Sequence, residues 1–242
     1  MTHVMIDLET WGLVPGCAVR SIGAVAFDPR GARGATFYEN IATDDSLGLT
    51  RDPDTVRWWA EQSDAARAAL LVNQQPLARV VNQLHLWLDE QRPTHVWSHG
   101  ASFDLPIWQV AASKLGARVP WDHRAVRDTR TLFEIAGLDV RTVPQVGTSH
   151  NALDDACFQA DCVIAAYRLL DAKTAERPSG EPAFPPGSVV HVAPLGINAR
   201  VSSIDVRRTV GGGIAGVCYS LIGIGGAWDH AELRAINAGG DA

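Results

Sequence analysis

The sequence contains few cysteines, and none of them are paired at a spacing typical of metal sites. Its four cysteines, Cys17, Cys157, Cys162 and Cys218, form no C-x2-C pattern. This argues against a structural zinc site and against a disulfide framework. Isolated cysteines of this kind suit a reducing compartment, where they act as small buried apolar residues. We therefore predict neither zinc nor disulfides, and a cytoplasmic location.

Long apolar runs are also missing. No stretch approaches the ~20 apolar residues that a membrane-spanning helix needs. The segment His3-Val4-Met5-Ile6-Asp7 has neither the basic start nor the apolar core of a signal peptide. Hydrophobic residues still make up 46% of the chain, which is ample for a packed core in one large domain or in one medium and one small domain. We expect a globular protein with no membrane partner.

The chain has no excess of basic residues. Lysine and arginine total 21 against 27 acidic residues, for a net charge of −6. Such a balance argues against a protein that coats nucleic acid through counterion release alone. It does not exclude an enzyme that holds a few nucleotides at a strand end, because a cation-neutralised carboxylate site would itself account for part of the acidity.

A pair of carboxylates near the N-terminus is the strongest local signal. Asp7 and Glu9 lie in the short apolar run that begins at His3 and are separated by one residue. In a strand, period-2 alternation places both on the same face. Two anions held this close repel one another unless a cation lies between them. The pair therefore predicts a site for a hard divalent ion.

Two later segments carry matching side chains. Ser98-His99-Gly100-Ala101-Ser102-Phe103-Asp104 follows a predicted strand, and His150-Asn151-Ala152-Leu153-Asp154-Asp155 precedes a predicted helix. With the Leu-Glu-Thr-x-Gly start, these motifs resemble the DEDDh 3′–5′ exonuclease superfamily over about residues 1–170. The positions that match its catalytic set are Asp7, Glu9, Asp104, His150 and Asp155.

The resemblance implies a chemistry for these residues. Asp7, Glu9, Asp104 and Asp155 would hold two Mg²⁺ or Mn²⁺ ions, since oxygen ligands favour those metals. His150 would act as the general base toward water. Simpler interpretations stay open: Asp104 as a helix cap, and His150 as a residue bonded to backbone at a helix start. Asp154 makes the register debatable, although the family's spacing favours Asp155.

A pair of tryptophans indicates which branch of the superfamily the sequence resembles. The string Trp58-Trp59-x-x-Gln62-Ser63 resembles the branch with phage-type exonucleases and a mycobacterial-type 3′–5′ exoribonuclease. Aromatic side chains beside a nuclease site stack on bases. Tryptophans are more often core residues, so both roles stay open for Trp58 and Trp59. From this motif and from their places next to the matched acidic residues, the residues predicted to bind substrate are Thr10, Trp11, Trp58, Trp59, His99 and Phe103, with a structural role left open for His99.

Periodicity and turn residues outline the elements. Strands are predicted near 4–9, 22–27 and 36–41 as an antiparallel meander, and a fourth near 95–100. Helices are predicted to start at Asp52-Pro53, Ser63 and Pro76, to cover 105–115, to open at Arg127-Asp128-Thr129 and continue through Ala136, and to cover 152–170. Further strands are predicted at 189–192, 200–206, 219–224 and 233–236.

We therefore predict an α/β fold: an RNase H-like exonuclease domain with a mixed central sheet at 1–171, a Pro-rich linker at 172–187, and a small all-β, SH3-like module at 188–242. A β-hairpin extension of the first domain is the alternative for the last segment, whose role is unknown.

The predicted function is metal-dependent 3′–5′ exonucleolysis of single-stranded nucleic acid to nucleoside 5′-monophosphates, with RNA slightly favoured. One alternative is the same chemistry on DNA, in an enzyme of the repair, proofreading or phage type. Another is a catalytically silent nucleic-acid-binding module. The oligomeric state stays open, with a homodimer as one alternative.

Overall fold

The computed structural model describes residues 2–175, 184–210 and 214–236. The chain divides into two compact units, Met1–Ala172 and Lys173–Ala242. Each unit has a sheet and an apolar core of its own. None of the helices in the described part of the chain has both the length and the apolar character that a membrane crossing requires.

A five-stranded mixed sheet forms the centre of the first unit. Its spatial order is β3-β2-β1-β4-β5, with β1, β2 and β3 antiparallel and β1, β4 and β5 parallel. This mixed sheet confirms the predicted RNase H-like fold class and the predicted meander. The strands are β1 (His3–Thr10), β2 (Val19–Phe27), β3 (Arg33–Asn40), β4 (His95–Ser98) and β5 (Val126–Asp128).

Six helices accompany this sheet: α1 (Pro53–Ala60), α2 (Asp64–Ala69), α3 (Leu77–Gln91), α4 (Asp104–Ser113), α5 (Thr129–Ala136) and α6 (Ala152–Ala175). The starts of α1 and α2 follow the capping signals in the sequence. Asp52 accepts a hydrogen bond from the backbone of Asp54, and Ser63 accepts one from Ala66. Such side-chain acceptors satisfy amide groups that a helix start otherwise leaves unpaired.

The two faces of the sheet bury different cores. Val4, Ile6 and Leu8 of β1 face a cluster that contains residues of α3 and α4, whereas Met5 faces a cluster built on α5 and α6. Because side chains alternate along a strand, Asp7 lies on the same side as Met5. The carboxylates of β1 therefore point toward the α6 side of the sheet.

Two details of the first unit differ from the sequence prediction. The short edge strand β5 was missed, because two of its three residues, Arg127 and Asp128, were interpreted as the start of the helix that follows. Helix α6 continues to Ala175, so it includes the first residues of the linker predicted for 172–187. The following part of that linker, 176–183, lies outside the described residues.

The second unit is a five-stranded antiparallel sheet in the order β10-β6-β7-β8-β9. A 3-10 turn, His230–Glu232, precedes its last strand. This all-β arrangement confirms the predicted SH3-like module. The strands are β6 (Val189–Val192), β7 (Ile197–Arg208), β8 (Ile214–Leu221), β9 (Ile224–Asp229) and β10 (Leu233–Ala235).

One strand of this unit was predicted wrongly. The apolar run 219–224 was interpreted as a single strand, but the chain turns at Ile222 and Gly223, and Leu221 pairs with Ile224 across the turn. Gly223 adopts φ +79, a conformation that glycine takes readily. A two-residue connection containing glycine joins adjacent strands of a hairpin, and β9 follows it.

Candidate active site

Strand β1 supplies the first two carboxylates of the candidate site. Glu9 is buried, with 7% of its surface exposed, and the Oδ1 atom of Asp7 accepts a 2.7 Å hydrogen bond from Gln159. A β-bulge interrupts the β1–β2 pairing between Glu9 and Thr10, which leaves Arg20 as the extra residue of β2. Bulges of this kind re-aim side chains and are common beside active sites.

Asp104 brings a third carboxylate to the same strand. It is the first residue of α4, and only 3% of its surface is exposed. Its Oδ1 atom accepts a 3.3 Å hydrogen bond from the backbone amide of Leu8, which lies between Asp7 and Glu9. The interpretation of Asp104 as a simple cap of its own helix is not supported, since the start of α4 has no side-chain cap.

His150 and Asp155 reach the site from the start of α6. The backbone amide of His150 donates a 3.0 Å hydrogen bond to Oδ2 of Asp155. His150 has φ +64, which is unusual for a residue other than glycine and costs about 1–2 kcal/mol. Such strain persists only where surrounding contacts enforce it, and it is common at functional sites.

A glycine in β2 allows α6 to come this close. Gly23 pairs with Asp7 across the strands, and a Cβ atom at Gly23 would lie 2.2 Å from the backbone of Ala152, the first residue of α6. Backbone atoms cannot yield to such a contact. Glycine at this position therefore fixes the distance between the sheet and the helix start that carries His150 and Asp155.

Three of the predicted side chains form a group that can hold a metal ion. Glu9, His150 and Asp155 each offer a ligand atom, and these atoms all lie within 4.8 Å of one another. Asp154, the alternative in register, instead accepts a 2.8 Å hydrogen bond from the backbone amide of Thr148. The side chain that joins the group is thus Asp155.

The electrostatics of the site disfavour four carboxyl groups that are all ionised. Loss of hydration raises the pKa of Asp7 well above its usual value, and the charges of Asp104 and Glu9 raise it further. Burial, followed by the charge of Asp155, raises the pKa of Glu9 to about 8. Burial likewise raises the pKa of Asp104 to about 7 and raises that of Asp155. A cluster of this kind keeps protons unless cations replace them.

A mainly apolar cleft of about 480 Å³ opens beside these carboxylates. It includes Glu9 and four of the residues predicted to bind substrate, Thr10, Trp58, Trp59 and Phe103. Its other walls are Leu8, Leu13, Asp54 and Thr55. An apolar cleft with a few polar groups at one end is the usual form of a small-ligand site.

The two neighbouring tryptophans play different structural roles. Trp58 is 41% exposed, and its ring lies 4.9 Å from the ring of His150 in an edge arrangement. Trp59 is 3% exposed and donates a 2.9 Å hydrogen bond from its indole to the carbonyl oxygen of Thr10. Trp59 is therefore a core residue that also lines the cleft, whereas Trp58 offers an accessible face.

Trp11 and His99 are not among the residues that line this cleft. Trp11 packs against Arg20, whose guanidinium carbon lies 3.9 Å from the centre of its ring. Nδ1 of His99 is 2.8 Å from the hydroxyl of Thr129, and burial lowers the pKa of its imidazole. Trp11 directly follows strand β1, and His99 directly follows strand β4.

Three residues of the site were missed by sequence reasoning. Gln159 binds Asp7 from one turn beyond Asp155 on α6, and Gly23 is the close-contact glycine of β2. Arg20 lies between the rings of Trp11 and Trp59 and favours the charged form of Glu9. A glycine inside a strand pattern is a readable signal of close approach, whereas nothing in the sequence marks Arg20 or Gln159.

Comparison with known proteins agrees with the motifs. A family model, the 3′-5′ exoribonuclease Rv2179c-like domain, matches residues 2–167. One matching solved structure is the nuclease domain of 3′hExo, a DEDDh family member, bound to rAMP. The two share 12% identity over 70% of this chain and 92% of that chain, with a TM-score of 0.46. No curated protein sequence matches significantly. Since the family model covers most of the chain, the protein belongs to the Rv2179c-like 3′–5′ exoribonuclease domain family, a result that confirms its resemblance to the DEDDh exonucleases.

Proposed function

We propose that this protein is a divalent-metal-dependent 3′–5′ exonuclease that shortens single-stranded RNA and releases nucleoside 5′-monophosphates. The observation that carries the proposal is the convergence of β1, α4 and the start of α6 on one place. Carboxylates far apart in sequence interact there, and His150 stands among them.

The donor set fits hard divalent cations. Asp7, Glu9, Asp104 and Asp155 offer carboxylate oxygens, which favour Mg²⁺ or Mn²⁺ over softer metals. Their raised pKa values fit the same assignment, because the bound cations would remove the like-charge repulsion. Two such ions, when bound, supply a nucleophile from water near neutral pH and stabilise charge on the attacking and leaving oxygens.

His150 is assigned the role of general base. Among the described residues, no side chain hydrogen bonds to its ring, so a ring nitrogen is available to accept a proton from water. The left-handed backbone and the edge contacts with Trp58 and Trp59 hold the ring in place. A histidine suits this work since its charge changes near neutral pH.

The shape of the cleft favours a frayed strand end. Trp58 and Phe103 present aromatic surface beside Glu9, where the terminal base of a strand would stack for ~1–3 kcal/mol. In a duplex the terminal base is paired along its edge and stacked on its neighbour, which keeps it out of such a cleft. With a net charge of −6 the protein has no general attraction for a long duplex. A single-stranded 3′ end is thus the proposed substrate.

The preference for RNA rests on the family and on the tryptophan motif. The matching model is described as an exoribonuclease domain, and Trp58 and Trp59 belong to the string that resembles that branch. Discrimination would require a contact to the ribose 2′-hydroxyl. The same site acting on DNA is the second candidate function, because all the catalytic contacts proposed above are to phosphate and base.

The test uses labelled oligonucleotides. We expect 5′-labelled single-stranded RNA with Mn²⁺ to give a ladder that shortens one nucleotide at a time, and 3′-labelled RNA to give mononucleotide at once. Matched DNA strands, blunt duplexes and a circular single strand are run in parallel, with a chelator as the blank. Faster loss of DNA would transfer the proposal to the DNA candidate. Efficient attack on blunt duplexes or circles, or full activity in chelator, would contradict it.

We also propose that residues 1–171 are the catalytic domain and that 188–242 are a separate module. The family model ends at 167, and the first compact unit ends at Ala172. A chain truncated after Ala175 should therefore keep its metal-dependent activity on short strands. A cytoplasmic location is supported by the cysteines, all four of which are free thiols.

A further inference from the structure

Two arginines act on the carboxylates of the candidate site, and they differ in accessibility. Arg20 favours the charged form of Glu9, and Arg130 favours that of Asp104. Arg20 is 8% exposed and lies between two indole rings. Arg130, the second residue of α5, is exposed. Of the two, only Arg130 can reach a substrate.

The guanidinium of Arg130 lies on the loop that leads to Asp104. A Cβ atom at Gly100 would be 3.0 Å from Nη1 and 3.3 Å from Cζ of Arg130, so the group rests against the glycine backbone. Gly100 has φ +95, and its carbonyl oxygen accepts a 2.9 Å hydrogen bond from the amide of Phe103. Glycine at this position thus provides both the turn and the space for the guanidinium.

This position is fixed from both sides. The backbone amide of Ala101 donates a 2.6 Å hydrogen bond to Oδ2 of Asp128, and the same carboxylate caps the start of α5 through the amide of Arg130. His99 adds its 2.8 Å contact with the hydroxyl of Thr129. The loop before Asp104 and the start of α5 therefore form one connected corner, from which Arg130 projects.

Although its charge acts on Asp104, Arg130 makes no direct contact with a carboxylate within the part of the chain that the structure describes. Its guanidinium makes no ion pair or side-chain hydrogen bond there, although Asp128 is two residues away. Each phosphate of a nucleic-acid strand carries a negative charge, so a positive side chain at this corner would attract a strand that lies across it. An exposed guanidinium is well suited to bind phosphate oxygens in pairs.

We propose that Arg130 binds the substrate phosphate next to the scissile one. At a 3′ end the scissile phosphate joins the last two nucleotides, so every other phosphate lies on its 5′ side. Arg130 therefore contacts the second phosphate from the 3′ end and sets the minimum length of a good substrate. This inference rests on the proposed exonuclease function, and it assigns a specificity role to a residue outside the metal-binding set.

The test removes the charge from each side of the contact in turn. Arg130→Ala is compared with the unchanged protein on two short single strands that differ only in the second linkage from the 3′ end. That linkage is a phosphodiester in one strand and an uncharged methylphosphonate in the other, and both strands carry 2′-O-methyl ribose at this linkage. Initial rates give kcat and KM for each pairing.

We expect Arg130→Ala to lower kcat/KM about tenfold on the charged strand, mainly through KM, which is the usual cost of one charge-assisted hydrogen-bonded contact. On the methylphosphonate strand the two proteins should differ by less than about twofold. The slope of log(1/KM) against log[salt] should become shallower by about 0.7, the value for one phosphate contact on a single strand. Arg130→Lys should recover part of the loss, because it restores charge without the paired donors.

Arg127→Ala is the matched control. It removes the same charge three residues earlier, but its guanidinium bonds to the carbonyl oxygens of Arg124 and Val126, and its charge acts on His3 and His95 at the other end of the sheet. This variant should show no difference between the two strands. Melting temperatures establish that each variant is folded.

The outcomes separate the two proposals. If the unchanged protein degrades neither strand, the exonuclease function is wrong. If it degrades both, and Arg130→Ala lowers kcat/KM equally on both, the function stands and the phosphate contact is overturned. Should Arg130→Ala fail to fold, Arg130→Gln and Arg130→Lys are used, and an equal loss on the two strands again contradicts the proposal.

Discussion

The two ends of strand β1 bury ionisable side chains in opposite ways. At its start, His3 is 4% exposed, and its Nδ1 atom accepts a 3.1 Å hydrogen bond from the indole of Trp97. Its ring is surrounded by those of Phe27, His95 and Tyr167. Burial lowers the pKa of His3 to about 4, so the neutral form is the stable one.

At its other end, β1 carries Asp7 and Glu9 among further carboxylates. Burial and like charge raise both pKa values, and the hydrogen bond from Gln159 opposes this only in part for Asp7. The neutral imidazole of His3 needs no partner beyond Trp97, whereas the carboxylate cluster needs protons or cations. Both ends of β1 thus bury ionisable side chains. The end with Asp7 and Glu9 differs because several groups of the same charge lie together there, which is typical of a functional site.

The largest effect should come from Asp7→Asn. Asparagine keeps an oxygen for Gln159 but removes the charge. Stabilisation of developing charge by bound cations is worth several kcal/mol, so activity should fall about a thousandfold or more. In chelator the same change should raise the melting temperature by about 2–4 °C, because a neutral amide needs neither a buried charge nor the uptake of a proton on folding.

Nuclease assays and thermal melts with and without Mn²⁺ measure both effects. Asp205→Asn, an exposed change in β7, serves as the control for loss of one negative charge. Unchanged hydrolysis by Asp7→Asn would contradict the proposal that Asp7 holds a catalytic metal ion.

The next effect should come from His150→Asn. Asparagine tolerates the left-handed backbone at this position, so the loss is mainly that of the imidazole. Activity at neutral pH should drop about a hundredfold, the lower range for a general base, and should partly return at alkaline pH as hydroxide takes over.

Titration with Mn²⁺ in a calorimeter distinguishes the two roles open to His150. Metal affinity should be kept if the residue is a base. Since its ring lies within ligand distance of Glu9 and Asp155, loss of metal binding would make it a ligand instead.

Gly23→Ala should have a smaller effect on activity, because it changes only the position of the start of α6. The added methyl group must displace Ala152, which moves the start of α6 away from Asp7. A shift of this kind should cost about tenfold in kcat and about 1–3 kcal/mol of stability. Gly34→Ala in β3, whose Cβ would have a 3.4 Å contact with the carbonyl oxygen of Ala26, should change neither. Equal kinetics for the two variants would exclude Gly23 as a determinant of site geometry.

The smallest effect belongs to the histidine end of β1. The pKa of His3 is depressed in the folded state, so the unfolded chain takes up a proton that the folded chain excludes. The neutral form of His3 therefore contributes fully to the free energy of unfolding above pH 6.5. This contribution, about 1–3 kcal/mol, is lost as the pH falls toward 4. In the metal-free protein the carboxylate cluster has the opposite effect: its contribution to stability rises as the pH falls, because protonation removes its buried charges.

Urea unfolding of the unchanged protein and of His3→Gln across this pH range isolates the histidine contribution. Glutamine can accept the hydrogen bond from Trp97 but does not titrate. We expect the variant to lose less stability between pH 6.5 and 4. Parallel curves would show that His3 takes no part in the pH response.

Much of the secondary structure of the first unit could be predicted from local sequence signals. The helix starts at Asp52 and Ser63 were readable because capping chemistry acts over a few residues. The family membership was readable from motifs that occur in a fixed order along the chain. The error at Ile222 and Gly223 shows the opposite case, in which an apolar run continued through a tight hairpin.

The sequence by itself determined which chemical groups exist, which side chains share a strand face, and where helices α1 and α2 start, because side-chain period and caps are properties of neighbouring residues. Only the tertiary structure decided that Trp59 is buried while Trp58 is exposed, that Gln159 binds Asp7, and that Arg130 lies on Gly100. Each of these depends on how close two elements approach, and that distance is set by packing between segments far apart in the chain.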